Sequence, residues 1–155
     1  MDKKTMKKSV IGTRHFGDTI DITDPCYKRD VWCRINDVKI IPGDYECVIW
    51  GSDEGEWGER VGIIGIYLGG VVPSQDKMKY IGSIGVDAGL AGFFENKPDY
   101  SDEEWSKFCD TMGCHDAYIF DEGFCSSSGY GDGEYDVMAY GVKPDEISAL
   151  EIRFL

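Results

Sequence analysis

The feature that most constrains the fold is a repeat inside the chain. Gly43-Asp-Tyr-Glu-Cys-Val-Ile-Trp-Gly51 aligns without gaps on Gly133-Glu-Tyr-Asp-Val-Met-Ala-Tyr-Gly141. Both glycines and the tyrosine are identical, acids exchange with acids, Trp50 exchanges with Tyr140, and the other positions stay apolar. Each copy is followed by a further apolar run, Val61 to Leu68 and Ile147 to Phe154. Upstream, with gaps, Ile20-Asp-Ile22 lies over Ile84-Gly-Val86, and Trp32-Cys33 is echoed by Trp105 to Cys109. The 155 residues therefore read as one domain of two related halves, about 15–70 and 80–155, the second carrying an insert. Two ordinary hairpins with shared turn chemistry are the competing reading; the gapless match in the same order favours duplication. The period is too long for a solenoid. Two sheets, each with one apolar face, would bury those faces against each other.

Twenty glycines and 13% aromatic residues favour short strands and tight turns. Alternation over Asp18 to Thr23 predicts a half-buried strand that ends at Asp24-Pro25. Val38 to Ile41 and Tyr45 to Trp50 predict a hairpin around Pro42-Gly43-Asp44. Further strands are expected at Val61 to Leu68, Ile81 to Val86, Ala117 to Phe120, Phe124 to Ser128, Tyr135 to Tyr140 and Ile147 to Phe154. One helix stands out at about 101–112. Ser101 and Glu104 form a capping-box pair, and Tyr100 and Trp105 take staple positions. Trp105, Phe108, Cys109 and Met112 share a face, and Gly113 supplies the stop. The expected class is mainly β (α+β): a two-lobed antiparallel β-sandwich or barrel with that single main helix.

The net charge of −13 opposes direct nucleic-acid binding, because phosphates need counter-charge. Charge is uneven: residues 1–39 hold nine basic and six acidic groups, the remainder seven basic and 23 acidic. Lys3 to Lys8 imitates a basic leader, but no apolar run of the needed length follows, and no stretch is long enough for a membrane span. A cytoplasmic location is expected, with Cys26, Cys33, Cys47, Cys109, Cys114 and Cys125 as reduced thiols.

At Ile22-Thr-Asp-Pro-Cys-Tyr27, Val86-Asp-Ala-Gly-Leu-Ala-Gly-Phe-Phe94 and Gly129-Tyr-Gly-Asp-Gly-Glu-Tyr-Asp-Val137 the chain resembles small uncharacterised bacterial and phage-encoded proteins. Those proteins carry Asp-Pro-Cys-Tyr and Gly-Asp-Gly-x-Tyr-x-Val motifs. The resemblance implies a prokaryotic or phage origin and a small β-rich domain, and no activity.

Four constellations could carry chemistry. Cys109, Cys114, His115 and Cys125 hold zinc-type donors, but without a Cys-x-x-Cys knuckle. Asp132, Glu134 and Asp136 alternate on a strand and could face a cation, outside any EF-hand pattern. Cys26 follows a strand-ending turn and would need His15 or His115 as base. Finally, Arg14, Tyr27, Trp32, Arg34, Tyr45, Trp50, Arg60, Tyr135 and Tyr140 combine aromatic faces with guanidinium groups, a set that could hold a nucleobase and its phosphate. Packing in a sandwich core is the competing account of that set. Trp50 and Tyr140, related by the repeat, could share a groove between the lobes.

The leading expectation is a non-enzymatic binding protein, of a phage counter-defence kind, that captures a small nucleotide-like ligand without a cofactor or metal. It requires Arg14, Arg34 and Arg60 to gather. An acidic inhibitor that imitates nucleic acid and binds a basic host protein is the second reading, with Asp53, Glu54, Glu56, Glu59, Asp102, Glu103 and Glu104 as exposed candidates. A cysteine- or metal-dependent enzyme is the third. An exposed strand edge would also permit a homo-oligomer.

Overall fold

The computed structural model describes residues 3–141, 143 and 145–155. Eleven strands run in chain order: β1 (Lys7–Phe16), β2 (Thr19–Thr23), β3 (Ile35–Lys39), β4 (Gly43–Asp53), β5 (Glu59–Leu68), β6 (Lys79–Val86), β7 (Leu90–Phe94), β8 (Ala117–Phe120), β9 (Gly123–Ser127), β10 (Gly133–Tyr140) and β11 (Ala149–Arg153). The helix α1 (Asp102–Met112) lies between β7 and β8, and short 3-10 turns occupy Lys3–Thr5, Gly55–Trp57 and Gln75–Lys77. No described helix is long and apolar enough to cross a membrane.

The strands form two antiparallel sheets. The larger has the order β1-β4-β5-β11-β10-β6, the smaller β3-β2-β7-β9-β8. They stack as a sandwich. Ile20, Ile22, Ala91, Phe93 and Phe124 of the smaller sheet meet Tyr45, Ile64, Ile66, Val137, Leu150 and Ile152 of the larger in one buried cluster. Burying each large apolar side chain contributes roughly 1.5–3 kcal/mol.

The strand order has the symmetry that a repeat requires. Read outward from the β5–β11 pair, each side of the larger sheet runs through a hairpin to an edge strand: β5-β4-β1 on one side, β11-β10-β6 on the other. The registers correspond as well. Cys47 pairs Ile66 across the first hairpin, and their aligned counterparts Val137 and Ile152 pair across the second. Phe16 faces Gly43, and Val86 faces the aligned Gly133. This order places β6 opposite β1 and β7 opposite β2. The sequence alignment laid Ile20–Ile22, which lies in β2, over Ile84–Val86, which lies in β6. Trp32 lies outside any regular element while Trp105 is helical, so that echo has no structural counterpart. The insert is α1 with β8.

The expected hairpin of Val38–Ile41 with Tyr45–Trp50 does not form. β3 and β4 belong to different sheets, and the Ile40-Ile41-Pro42 link crosses between them. Pro42 has no N–H to give a ladder, and Ile41 N–H bonds Ile147 O at 2.9 Å instead. β7 was absent from the sequence expectations. The helix agrees closely: Ser101 and Glu104 form the reciprocal capping box, and Tyr100 stacks on Trp105 at 6.3 Å. Phe108 and Met112 are buried against Phe94 and Cys125, so α1 covers the outer face of the smaller sheet.

The outer face of the larger sheet is covered too, by the N-terminal turn and residues 72–78 over Val48, Trp50, Ile63, Tyr67 and Ala149. Two covered faces explain why β5 is buried from Val61 to Tyr67 without alternation. A carboxylate lies inside this layer. Glu151, with no exposed surface, accepts from Tyr67 Oη at 2.6 Å and from Arg153 at 3.1–3.2 Å, and it is ion-paired with Lys3 Nζ. Tyr67 Oη also accepts from Trp50 Nε1 at 2.9 Å. Glu151 sits opposite Gly65 in the ladder. Only a glycine there leaves room for the Tyr67 ring to fold back towards the carboxylate, since a Cβ would collide with it. Tyr67→Phe strips a donor from Glu151 and an acceptor from Trp50. It is expected to lower unfolding free energy by about 1–3 kcal/mol in urea titration; unchanged stability would show that this network does not anchor the layer.

Candidate functional site

The three motifs quoted above come together at one end of the sandwich. Asp24, fully buried just after β2, is the joint. Its carboxylate accepts from Cys26 N–H at 2.9 Å, Asp87 N–H at 2.8 Å and Ala88 N–H at 2.7 Å. Three amide donors replace the water that a buried carboxylate would otherwise lose. The second motif is tied to the third: Ser128 N–H bonds Gly89 O at 3.1 Å, and Ser128 Oγ and Tyr135 Oη both donate to Gly131 O, at 2.8 and 2.7 Å. Asp24 is spent on architecture; it fixes the β6–β7 turn and the loop after β2.

A cavity of about 350 Å³ opens between the sheets beside this joint. β1 supplies Lys7 and Ser9, β4 and β5 supply Ile49, Arg60 and Val61, and Asp116 and Ser127 come from the smaller sheet's side. Ile49 and Val61 belong to the core and give the cavity an apolar floor. The Lys7 ammonium, the Ser9 and Ser127 hydroxyls and the Asp116 carboxylate have no side-chain hydrogen bond or ion pair among the described residues. Arg60 is positioned: Nε donates to Trp57 O at 3.0 Å, and its guanidinium lies 4.9 Å from the centre of the Tyr130 ring. Tyr130 Oη in turn donates to Glu54 at 2.8 Å, and Ser52 Oγ donates to the same carboxylate at 2.7 Å. Those two bonds hold the Glu54 carboxyl below its ordinary pKa. Trp57 and Tyr130 stand exposed at this end of the sandwich. The site thus offers cations, hydroxyls, the Glu59 and Asp116 carboxylates and aromatic faces over an apolar base.

Of the nine sequence candidates only Arg60 lines this cavity, and Arg14, Arg34 and Arg60 do not gather. Arg14 is held by Glu95 at 3.1 Å and by Asp121 O at 2.6 Å. Arg34 is buried, bonded to Asn36, to Tyr27 O and to Asp21. Tyr45 is a core residue whose hydroxyl donates to Ile41 O at 2.6 Å. Tyr135 packs edge-on against Phe154 at 5.1 Å. Trp50 is covered by the N-terminal turn, while Tyr140 is exposed beside Lys77 and Lys79, so the two share no groove. Tyr27 is half-buried, with its hydroxyl near Gly85, and Trp32 is 91% exposed. Lys7, Ser9, Asp116 and Ser127 were not singled out from sequence, because no motif or spacing links them; Tyr130 stands in the third motif but was given no role there.

The other constellations separate. Among the described residues no group of three or more His, Cys, Asp or Glu is placed to hold a metal ion. Cys125 is buried in β9 and Cys114 is exposed past α1, while His115 Nδ1 lies 2.9 Å from Thr111 O. Asp132, Glu134 and Asp136 are exposed. The surroundings of Cys26 are set by burial and then Asp24, Asp87 and Lys97, with neither histidine among them. Burial pushes its thiol well above the ordinary range, the opposite of nucleophile activation. His15 instead pairs with Asp44 at 3.0 Å. The acidic candidates lie on different layers, Asp53 to Glu59 between β4 and β5, and Asp102 to Glu104 on α1.

All six cysteines are free thiols. Burial raises Cys47 to about 12 and Cys125 well above its usual value, whereas Cys114 is exposed. A thiol-titrating disulfide reagent at about pH 8 is expected to modify Cys114 first, and Cys47 and Cys125 only on unfolding. A fast reaction at Cys26 would contradict its placement and favour a cysteine nucleophile.

No family model, curated protein or solved structure matches this chain.

Proposed function

We propose that this protein is a non-enzymatic binding protein that holds a small nucleotide-like molecule in the cavity between β1, β5 and β9; the pocket of Arg14, Arg34 and Arg60 expected from the sequence does not form, and the reading rests on a different set in which only Arg60 remains. The observation that carries the reading is the set of polar groups without protein partners, Lys7, Ser9, Asp116 and Ser127, over the apolar floor of Ile49 and Val61. Ser9 and Ser127 are half-buried, where polar groups are normally satisfied within the fold, and Lys7 and Asp116 are exposed at the rim, so the four are available to a ligand. Lys7 and Arg60 suit an anionic group; Asp116 and the hydroxyls suit amino or hydroxyl substituents. Arg60 against Tyr130, with Trp57 exposed nearby, suits a planar ring. A ligand with all three characters is nucleotide-like. The chain's −13 charge disfavours anions at long range, but screening within about 8 Å at physiological salt leaves the local groups in control, Lys7 and Arg60 against Glu59 and Asp116. The acidic-inhibitor reading has less support, since its acids lie on separate layers.

Native mass spectrometry of gently purified protein, followed by titration with a nucleotide panel, tests the proposal. Wild type is expected to carry or bind such a molecule, and Lys7→Ala and Arg60→Ala to weaken it about tenfold or more each, the worth of a charged hydrogen bond. Binding that both variants retain, or a bare mass with no nucleotide bound, would overturn it.

A further inference from the structure

A second cavity is lined from β2, β3, β7 and the segments that follow β2 and β7, and a buried lysine is part of its wall. Lys97 follows β7 and is 7% exposed. Lysine is almost never this buried unless paired. Yet among the described residues Lys97 makes no ion pair. Its Nζ donates to Pro98 O at 2.9 Å and lies 4.2 Å from the centre of the Tyr100 ring.

Three of the carboxylates nearby, those of Asp21, Glu95 and Asp99, are already engaged. Asp21 accepts from Arg29 at 2.7 Å, from Arg34 at 3.2 Å and from Asp37 N–H at 2.9 Å. Glu95 takes Arg14 at 3.1 Å and Gly17 N–H at 2.7 Å. Asp99 accepts from Arg29 N–H at 2.9 Å. Lys97 lines a cavity of about 350 Å³ together with Thr19, Phe94, Asn96 and the Asp21–Arg29–Asp37 group. At about 30 Å³ per water, that space admits a small organic molecule.

The chemistry follows from these surroundings. Burial and then the Arg34 charge pull the Lys97 amine below its ordinary pKa, against weaker opposition from Asp99, Glu122 and Cys26. An ordinary lysine is protonated in all but about one molecule in a thousand near neutrality; only the neutral form has a lone pair to donate. A desolvated lysine in a cavity is the usual setting for amine nucleophiles. An anion is a poorer fit, because Asp21 and Asp37 line the same space.

We infer that Lys97 is a covalent capture site for a small aldehyde or ketone, which it takes up as an imine in the cavity it shares with Asn96 and Phe94. The Nζ lone pair forms a bond to the carbonyl carbon while the C=O π pair moves to oxygen. A proton passes from nitrogen to that oxygen, giving a carbinolamine. Loss of water then leaves the C=N bond. No electrons are exchanged with an outside partner, and the step is independent of the nucleotide-like site.

The test exposes the folded protein to propanal with cyanoborohydride, a hydride donor that traps imines, near neutral pH, and maps the alkylated lysines by mass spectrometry. Lys97 is expected to be trapped at least tenfold faster than the exposed Lys79 and Lys107. Trapping at Lys97 no faster than at those two would overturn the inference. Stability gives a second readout with a defined sign. A lysine whose folded pKa is depressed costs stability while it is charged in both states. That cost fades as pH rises from the folded pKa towards the ordinary value near 10.4. The wild type should therefore gain stability relative to Lys97→Met between about pH 7 and pH 10; parallel profiles would contradict a depressed amine.

Discussion

The pairing of β5 with β11 is the constraint on which the rest of the molecule depends. It joins the two hairpins into one six-stranded sheet, and it places Glu151 at the centre of a covered face. A carboxylate without exposed surface must be compensated, or the sheet could not stay covered there. Lys3, Tyr67 and Arg153 supply that compensation, and Lys3 thereby draws the N-terminal turn over Trp50 and Met78. The same pairing sets β1 at one edge and β6 at the other, facing β8 and β3 of the smaller sheet. The cavity between the sheets therefore opens beside β1 as a consequence of topology.

The joint at Asp24 works on a shorter scale. One buried carboxylate holds the loop after β2 to the β6–β7 turn, and the backbone of that turn holds Ser128. Residues 127–131 then present Ser127 to the cavity and Tyr130 to Arg60 while their own backbone is fixed. Polar groups without protein partners collect at this end, whereas Arg14, Arg29 and Arg34 are consumed by structural ion pairs elsewhere. The functional proposal follows this division between spent and unspent charge.

Much of the fold was legible in the sequence, for local reasons. The capping box and staple declare α1 because they act within one turn. The unbroken apolar run of β5 announces a strand, but the expectation of one apolar face per sheet missed the layer that covers its other face. The aligned segments fall on hairpins that take equivalent places in the larger sheet. β7 escaped notice because Gly89 and Gly92 interrupt a run that has no polar alternation; its burial comes from β2, β9 and α1, which lie elsewhere in the chain. The Pro42-Gly43-Asp44 segment reads as a hairpin turn but serves as a corner between sheets, and nothing local distinguishes the two. The site was least legible. Tyr45 and Tyr135 satisfied an aromatic pattern and were claimed by the core, and the groups that line the cavity come from five segments with no shared spacing.

The most direct test of the account is methyl NMR of isoleucine- and valine-labelled protein during titration with the nucleotide that binds best. The account predicts shifts concentrated at Ile49 and Val61, the floor of the inter-sheet cavity. Shifts centred on Ile41, beside Tyr140 and Lys79, with Ile49 and Val61 unmoved, would contradict it.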